Sequence, residues 1–135
     1  MRKQITFKDN IMARTLYERL GEQQGITKLV DDVVDLHMTN PLVSPRFLPY
    51  KSKPEQLKKI KEHTVNFFCA GAGGPQQYMG RDMVQTHTGM NISAQEYLAV
   101  VDDILGAMGS NKYTEEDKKD VLAILYSLKE GIIRV

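Results

Sequence analysis

Cysteine is nearly absent: Cys69 is the single one in 135 residues, so no internal disulfide can form. Nor does any CxxC or CxxCH spacing occur, which removes a thiolate zinc site and a cofactor tethered through thioethers. Such usage suits a reducing, cytoplasmic setting. Long apolar runs are missing as well. Nothing approaches the roughly 20 residues of a membrane span, and Met1 to Thr15 lacks the apolar stretch of a secretory signal, so the chain is expected to stay in the cytoplasm and away from membranes. A charge excess of either sign is the third absence, with 18 basic against 17 acidic residues. No strong field therefore selects nucleic acid, anionic lipid or an acidic substrate, and small neutral ligands are the better expectation.

What is present describes one soluble globular domain: 41% apolar and 26% charged residues at this length can bury a real core. A Ser or Thr followed three residues later by Glu or Asp can satisfy free amides at a helix start. This signal recurs at Thr15/Glu18, Ser52/Glu55, Ser93/Glu96 and Thr114/Asp117. Ile26, Leu29, Val30, Val33 and Leu36 recur at helical spacing and predict a helix from Glu22 to Thr39, ended by Asn40-Pro41. The prolines between Pro41 and Pro54 predict an irregular connection. Further helices are expected over Pro54 to Ala70, within a short segment between Gly80 and Gly89, and over Ala94 to Met108 and Glu115 to Glu130, with a break at Gly71 to Pro75. The expected fold class is all-α, about six helices in a domain over 15–135. An extension over 1–14 shows no helical period and is assigned no function.

Two histidines lie on successive helices across the glycine-rich break. Leu57, Ile60, Thr64, Phe67 and Phe68 follow the helical period and predict one buried stripe, with His63 at its edge. His87 falls four residues after Met83 and three before Met90, in an apolar, polarizable row. If these helices fold back on each other, both imidazoles can enter one apolar gap, an arrangement able to hold a flat iron macrocycle. The residues leave a second reading open: a haem-free helical interaction module, with the histidines in the core and the stripes serving packing or a partner groove. His37 shares a face with Val30 and Val33 and is expected to be structural. Cys69 is expected to be a small buried side chain, and Lys58, Lys59 and Lys61 a solvated face from which one could pair with a haem propionate.

Four stretches make the chain resemble the truncated haemoglobins of group I, the N type, over nearly everything after Thr15. They are Leu16-Tyr17-Glu18-Arg19-Leu20-Gly21, Arg46-Phe47 at the end of the second helix, Ala72-Gly73-Gly74-Pro75, and Tyr78-Met79-Gly80-Arg81-Asp82-Met83 ahead of His87. The resemblance implies a two-over-two helical sandwich around a non-covalent b-type haem, with His87 as the proximal iron ligand. It implies that Phe47 wedges against the haem face and that Tyr78 and Met83 line the proximal side. Ile60 and Thr64 match distal positions facing the iron, where the family often places a glutamine. His63 matches a position that in some cyanobacterial members binds the iron directly, which makes them six-coordinate without gas. Val34 stands where most members carry a tyrosine that donates a hydrogen bond to bound oxygen.

On that resemblance the expected function is reversible binding of small diatomic ligands, O2, NO or CO, by a monomer whose iron is held by His63 and His87 at rest. For some members of the family the resemblance also implies nitric oxide dioxygenase activity, which would need a reductase partner, whereas a two-histidine iron suits electron transfer or redox and gas sensing. Val34, a hydrocarbon, counts against a specialised dioxygenase, and no arginine beside His63 supports a peroxidase-like site.

Overall fold

The computed structural model describes residues 14–76 and 82–135. The expected extension over 1–14, save Arg14, falls outside these residues, and so does Tyr78. In chain order the helices are α1 (Leu16–Arg19), α2 (Glu22–Thr39), α3 (Ser44–Phe47), α4 (Pro54–Gly71), α5 (Met83–His87), α6 (Ala94–Ser110) and α7 (Glu115–Leu128). Two 3-10 turns, Leu48–Ser52 and Lys129–Gly131, complete them. Among the described residues there is no strand, only an isolated parallel bridge between Ile92 and Ile133.

The helix starts follow from side-chain chemistry. Thr15 and Thr114 each form a reciprocal capping box with Glu18 and Asp117, and the Ser93 hydroxyl accepts from the Glu96 amide. Ser52 does not cap α4. It ends a 3-10 turn, and its hydroxyl donates back to the Pro49 carbonyl, leaving Lys53 as an N-cap without a side-chain bond. Pro54 in the first turn has no N–H to satisfy, so the missing cap costs little. Arg46-Phe47 likewise does not end the second helix. α2 stops at Thr39 because Asn40 turns extended ahead of Pro41, and Arg46 and Phe47 lie on the separate α3. The connection expected to be irregular is thus largely helical turns. α6 runs two residues past Met108, while α7 stops at Leu128 and tightens into a 3-10 turn.

α2 packs against α4 and α6, and α6 packs against α7, which gives two helix pairs stacked as a two-over-two sandwich. The core between them draws Ile26, Leu29, Val30, Val33 and Val34 from α2, Val65 and Cys69 from α4, Ile104 and Met108 from α6, and Val121 and Leu125 from α7. Each such side chain contributes about 1.5–3 kcal/mol when fully buried. α1 is pinned to α7 by Arg19, which reaches Asp117 and Asp120 at 2.6 Å each. The corner between α1 and α2 is tight: Gly21 has φ +96°, and a Cβ added at Gly25 would stand 2.2 Å from the Leu20 carbonyl oxygen. That carbonyl also accepts a hydrogen bond from the Tyr113 hydroxyl.

Candidate functional site

α4 presents two faces. The side chains it buries are Val65 and Cys69, which point into the core against α2. The expected stripe of Leu57, Ile60, Thr64, Phe67 and Phe68 is not buried but half-buried, since it lies around the helix from that core face. Ile60, Thr64 and Phe67 fall within an arc of roughly 60° by helical rotation. They form an apolar surface that the protein covers only in part, with His63 exposed at its margin. The Thr64 hydroxyl donates to the Ile60 carbonyl at 2.8 Å, so its proton is committed to the helix backbone and its oxygen is left as an acceptor. Val34 on α2 is buried and brings no donor. Lys61 pairs with Asp31 at 3.2 Å, whereas Lys58 and Lys59 stay exposed as expected. Phe67 and Phe68 also line a small apolar cavity of about 20 Å³ shared with Val121, Ile124, Leu125 and Leu128 of α7.

His87 is the last residue of α5 and is half-buried. α5 starts at a capping box that periodicity alone did not single out, in which Asp82 accepts from the Gln85 amide and the Gln85 side chain accepts from Asp82. The His87 Nδ1 lies 2.8 Å from the Met83 carbonyl oxygen. A carbonyl can only accept, so Nδ1 carries the proton and Nε2 presents a lone pair. This is the tautomer that a metal ligand requires, set by the backbone one turn earlier. Met83 thus reaches the imidazole through its own carbonyl. Met90 does not continue the expected apolar row, because the helix has ended, and it is exposed.

Phe47 is half-buried, and its ring centroid lies 4.9 Å from that of His37 at a tilt of 44°. His37 is 5% exposed, and its Nδ1 donates to Asp103 Oδ2 at 2.7 Å, while Asn40 donates to the other carboxylate oxygen at 3.0 Å. His37 thus has a structural place, linking α2 to α6 behind Phe47. Sequence reasoning missed Asp103, since 66 residues separate it from its partner and no local spacing announces the pair. Arg46, beside Phe47, forms an ion pair with Glu96 and donates to the Met90 carbonyl at 2.9 Å. Arg46 thereby ties α3 to the loop after His87.

Burial pushes the His37 imidazole below its ordinary value, against the opposing pull of the Asp103 hydrogen bond. As pH falls below about 6.5 the unfolded chain takes up this proton before the folded one does. The stabilisation from neutral His37 is therefore full above that pH and declines as acid carries the group toward its lower folded-state titration. The midpoint of urea unfolding is expected to be lower at about pH 5.5 than at about pH 7.5, with a smaller drop in His37→Gln. An equal drop in both proteins would place its cause elsewhere.

The chain matches the bacterial-like globin family over residues 15–133. A group 1 truncated hemoglobin from a Nostoc species is 30% identical over 119 residues, which cover 88% of this chain and 97% of that one. A second, from Tetrahymena pyriformis, is 24% identical over 95 residues, covering 70% and 74% of the two chains. The crystal structure of the Tetrahymena pyriformis truncated hemoglobin in its Fe(III) form superposes with a TM-score of 0.82 at 18% identity, over 90% of this chain and all of that one. The 2/2 hemoglobin of a Synechococcus species, in the cyanomet state with covalently attached heme, gives a TM-score of 0.76 at 18% identity over 86% and 94%.

Proposed function

Because the chain belongs to the bacterial-like globins, and among them to the group 1 truncated haemoglobins, we propose that it binds b-type haem and reversibly takes up small diatomic ligands. One observation carries this reading: His87 on α5, half-buried, with Nδ1 committed to the Met83 carbonyl and Nε2 left with its lone pair. The half-buried apolar face of Ile60, Thr64 and Phe67 fits the flat hydrocarbon surface of a porphyrin, which would cover what the protein leaves open. Phe47, braced by His37, would wedge against its face, and Met83 would line the His87 side, a side to which the family likeness also assigns Tyr78. When bound, the haem supplies an iron centre able to bind O2, NO or CO.

The chain's own residues set how firmly a ligand is held. Val34 and Ile60 offer no hydrogen bond, and the Thr64 proton is already bound to the Ile60 carbonyl. A polar ligand there forgoes a stabilisation of roughly 1 kcal/mol or more per missing donor. His63 is the remaining polar side chain of that arc. Exposed on α4, it can turn inward without displacing the core residues Val65 and Cys69, and in the resting protein it would hold the haem iron together with His87. Gas then enters only when His63 turns away, so apparent affinity falls in proportion to the closed population. This arrangement favours gated ligand binding over a dioxygenase, which needs oxygen held long enough to react and a reductase to restore the iron.

Absorption spectra test this directly. Hemin-reconstituted protein reduced with dithionite is expected to show the sharp split bands of a low-spin, two-histidine centre. His63→Ala should replace them with a five-coordinate spectrum and speed carbon monoxide binding. An identical low-spin spectrum in the variant would remove His63 from the iron, and the absence of any Soret band after hemin saturation would return the chain to a helical interaction module.

A further inference from the structure

The loop after His87 is held along most of its length. Gly89 and Asn91 have φ of +86° and +52°, and Arg134, which Asn91 faces, has φ +57°. Arg134 Nη1 donates to the Asn91 side-chain oxygen at 2.6 Å and to its carbonyl at 3.3 Å. The Arg134 N–H donates to the Ile92 carbonyl at 3.0 Å, and the Gly89 N–H to the Val135 carbonyl at 3.4 Å. Left-handed backbone is costly for a residue with a Cβ and persists only where the surroundings over-determine it. Here two such residues, far apart in sequence, are bonded to each other.

The same segment reaches the other end of α5. A Cβ at Gly131 would stand 3.2 Å from the Met83 Cβ, so the backbone of the 3-10 turn lies directly on the first turn of the short helix. Ile132 behind it is buried in the core. A helix of five residues cannot hold its own geometry in water. α5 keeps its place because residues 131–135 contact its start and bond the loop beyond its end, while Arg46 holds Met90 from α3.

We propose that residues 131–135, with Arg134 at their centre, form a positioning strap that sets the orientation of the His87 imidazole toward the haem iron. The inference rests on His87 being the iron ligand. His87 ends α5, and the Met90 N–H donates to the His87 carbonyl at 3.1 Å, so a shift of the loop turns the ring about its own backbone. Groups that orient a metal ligand without touching the metal change affinity through that ligand. The Glu96 carboxylate that anchors Arg46 is held below its ordinary range by the Arg46 hydrogen bond first, and the Arg134 charge lowers it a little further.

The test uses a His63→Ala background, which leaves one axial histidine, and reads the iron–histidine stretch of the ferrous protein by resonance Raman. Arg134→Ala is expected to shift or broaden this band and to raise haem dissociation about tenfold, with part of both effects recovered in Arg134→Lys. Without haem, amide exchange over 88–92 is expected to quicken in Arg134→Ala. Quicker exchange with an unmoved band and unchanged haem retention would reduce Arg134 to a structural tie and overturn the proposal, as would no change in any readout. Failure of the underlying ligand reading looks different. In that case the band is missing from the parent or survives in His87→Gly, whereas a parent band that depends on His87 but ignores Arg134 sinks the strap alone.

Discussion

His87→Gly is expected to lose stoichiometric haem binding, with affinity reduced by at least about 100-fold, because changes to groups that merely orient a metal ligand already cost 10–100-fold. The variant removes Nε2, and nothing else on α5 replaces it, since Met83 contributes its carbonyl to the imidazole. Glycine also opens space for a free imidazole, so millimolar imidazole should restore much of the binding and the low-spin spectrum. Rescue distinguishes loss of the ligand from collapse of α5, which would leave no site for imidazole to occupy. Haem retained at parental affinity with an unaltered proximal signature would move the site elsewhere.

Gly25→Ala is expected to destabilise the fold by about 3 kcal/mol or more, near the upper end of overpacking effects. The added methyl would meet the Leu20 carbonyl oxygen at 2.2 Å, and Gly25 itself is packed against Gly21, where a Cβ would come within 3.1 Å of the Gly25 Cα. Both obstacles are backbone, so no side-chain rotation relieves them. Leu20 is fully buried, and its carbonyl holds the Tyr113 hydroxyl, so any shift of the corner is transmitted to the start of α7. For a domain of this size the expected fall in Tm is roughly 10 °C. A loss of less than about 1 kcal/mol in chemical unfolding would mean that the corner relaxes freely and that α1 is loosely attached.

Local signals carried the helices with little loss. Glu22 to Thr39 is bounded where the apolar period and Asn40-Pro41 place it, and Thr15 and Thr114 cap as their spacing predicts. Ser52 failed because a capping pattern of four residues cannot report that the chain ahead of it is already committed to a 3-10 turn. The stripe on α4 was right in period and wrong in burial. An apolar face reads the same in sequence whether protein or a cofactor is meant to cover it, and Val65 and Cys69 point the other way. The parts of the site least visible in sequence are its long-range ties. Asp103 to His37, Arg46 to Glu96 and Arg134 to Asn91 join residues 43 to 66 positions apart through side-chain hydrogen bonds and ion pairs. No periodicity encodes them.

α4 divides its circumference between two selective pressures. One arc, with Val65 and Cys69, answers to folding; the other, with Ile60, Thr64 and Phe67, answers to whatever lies against it. Positions 60 and 64 lie away from the cavity that Phe67 shares with Val121 and Leu125, so the effects of substitutions there should combine nearly independently with those of changes in the core. A lineage carrying this helix can exchange isoleucine for a polar residue at position 60, or rework position 64, while losing little of the margin that keeps the chain folded. Ligand preference in such a protein can drift or adapt quickly, and pocket composition is then a poor clock of descent, whereas the buried arc and the glycine corner change slowly.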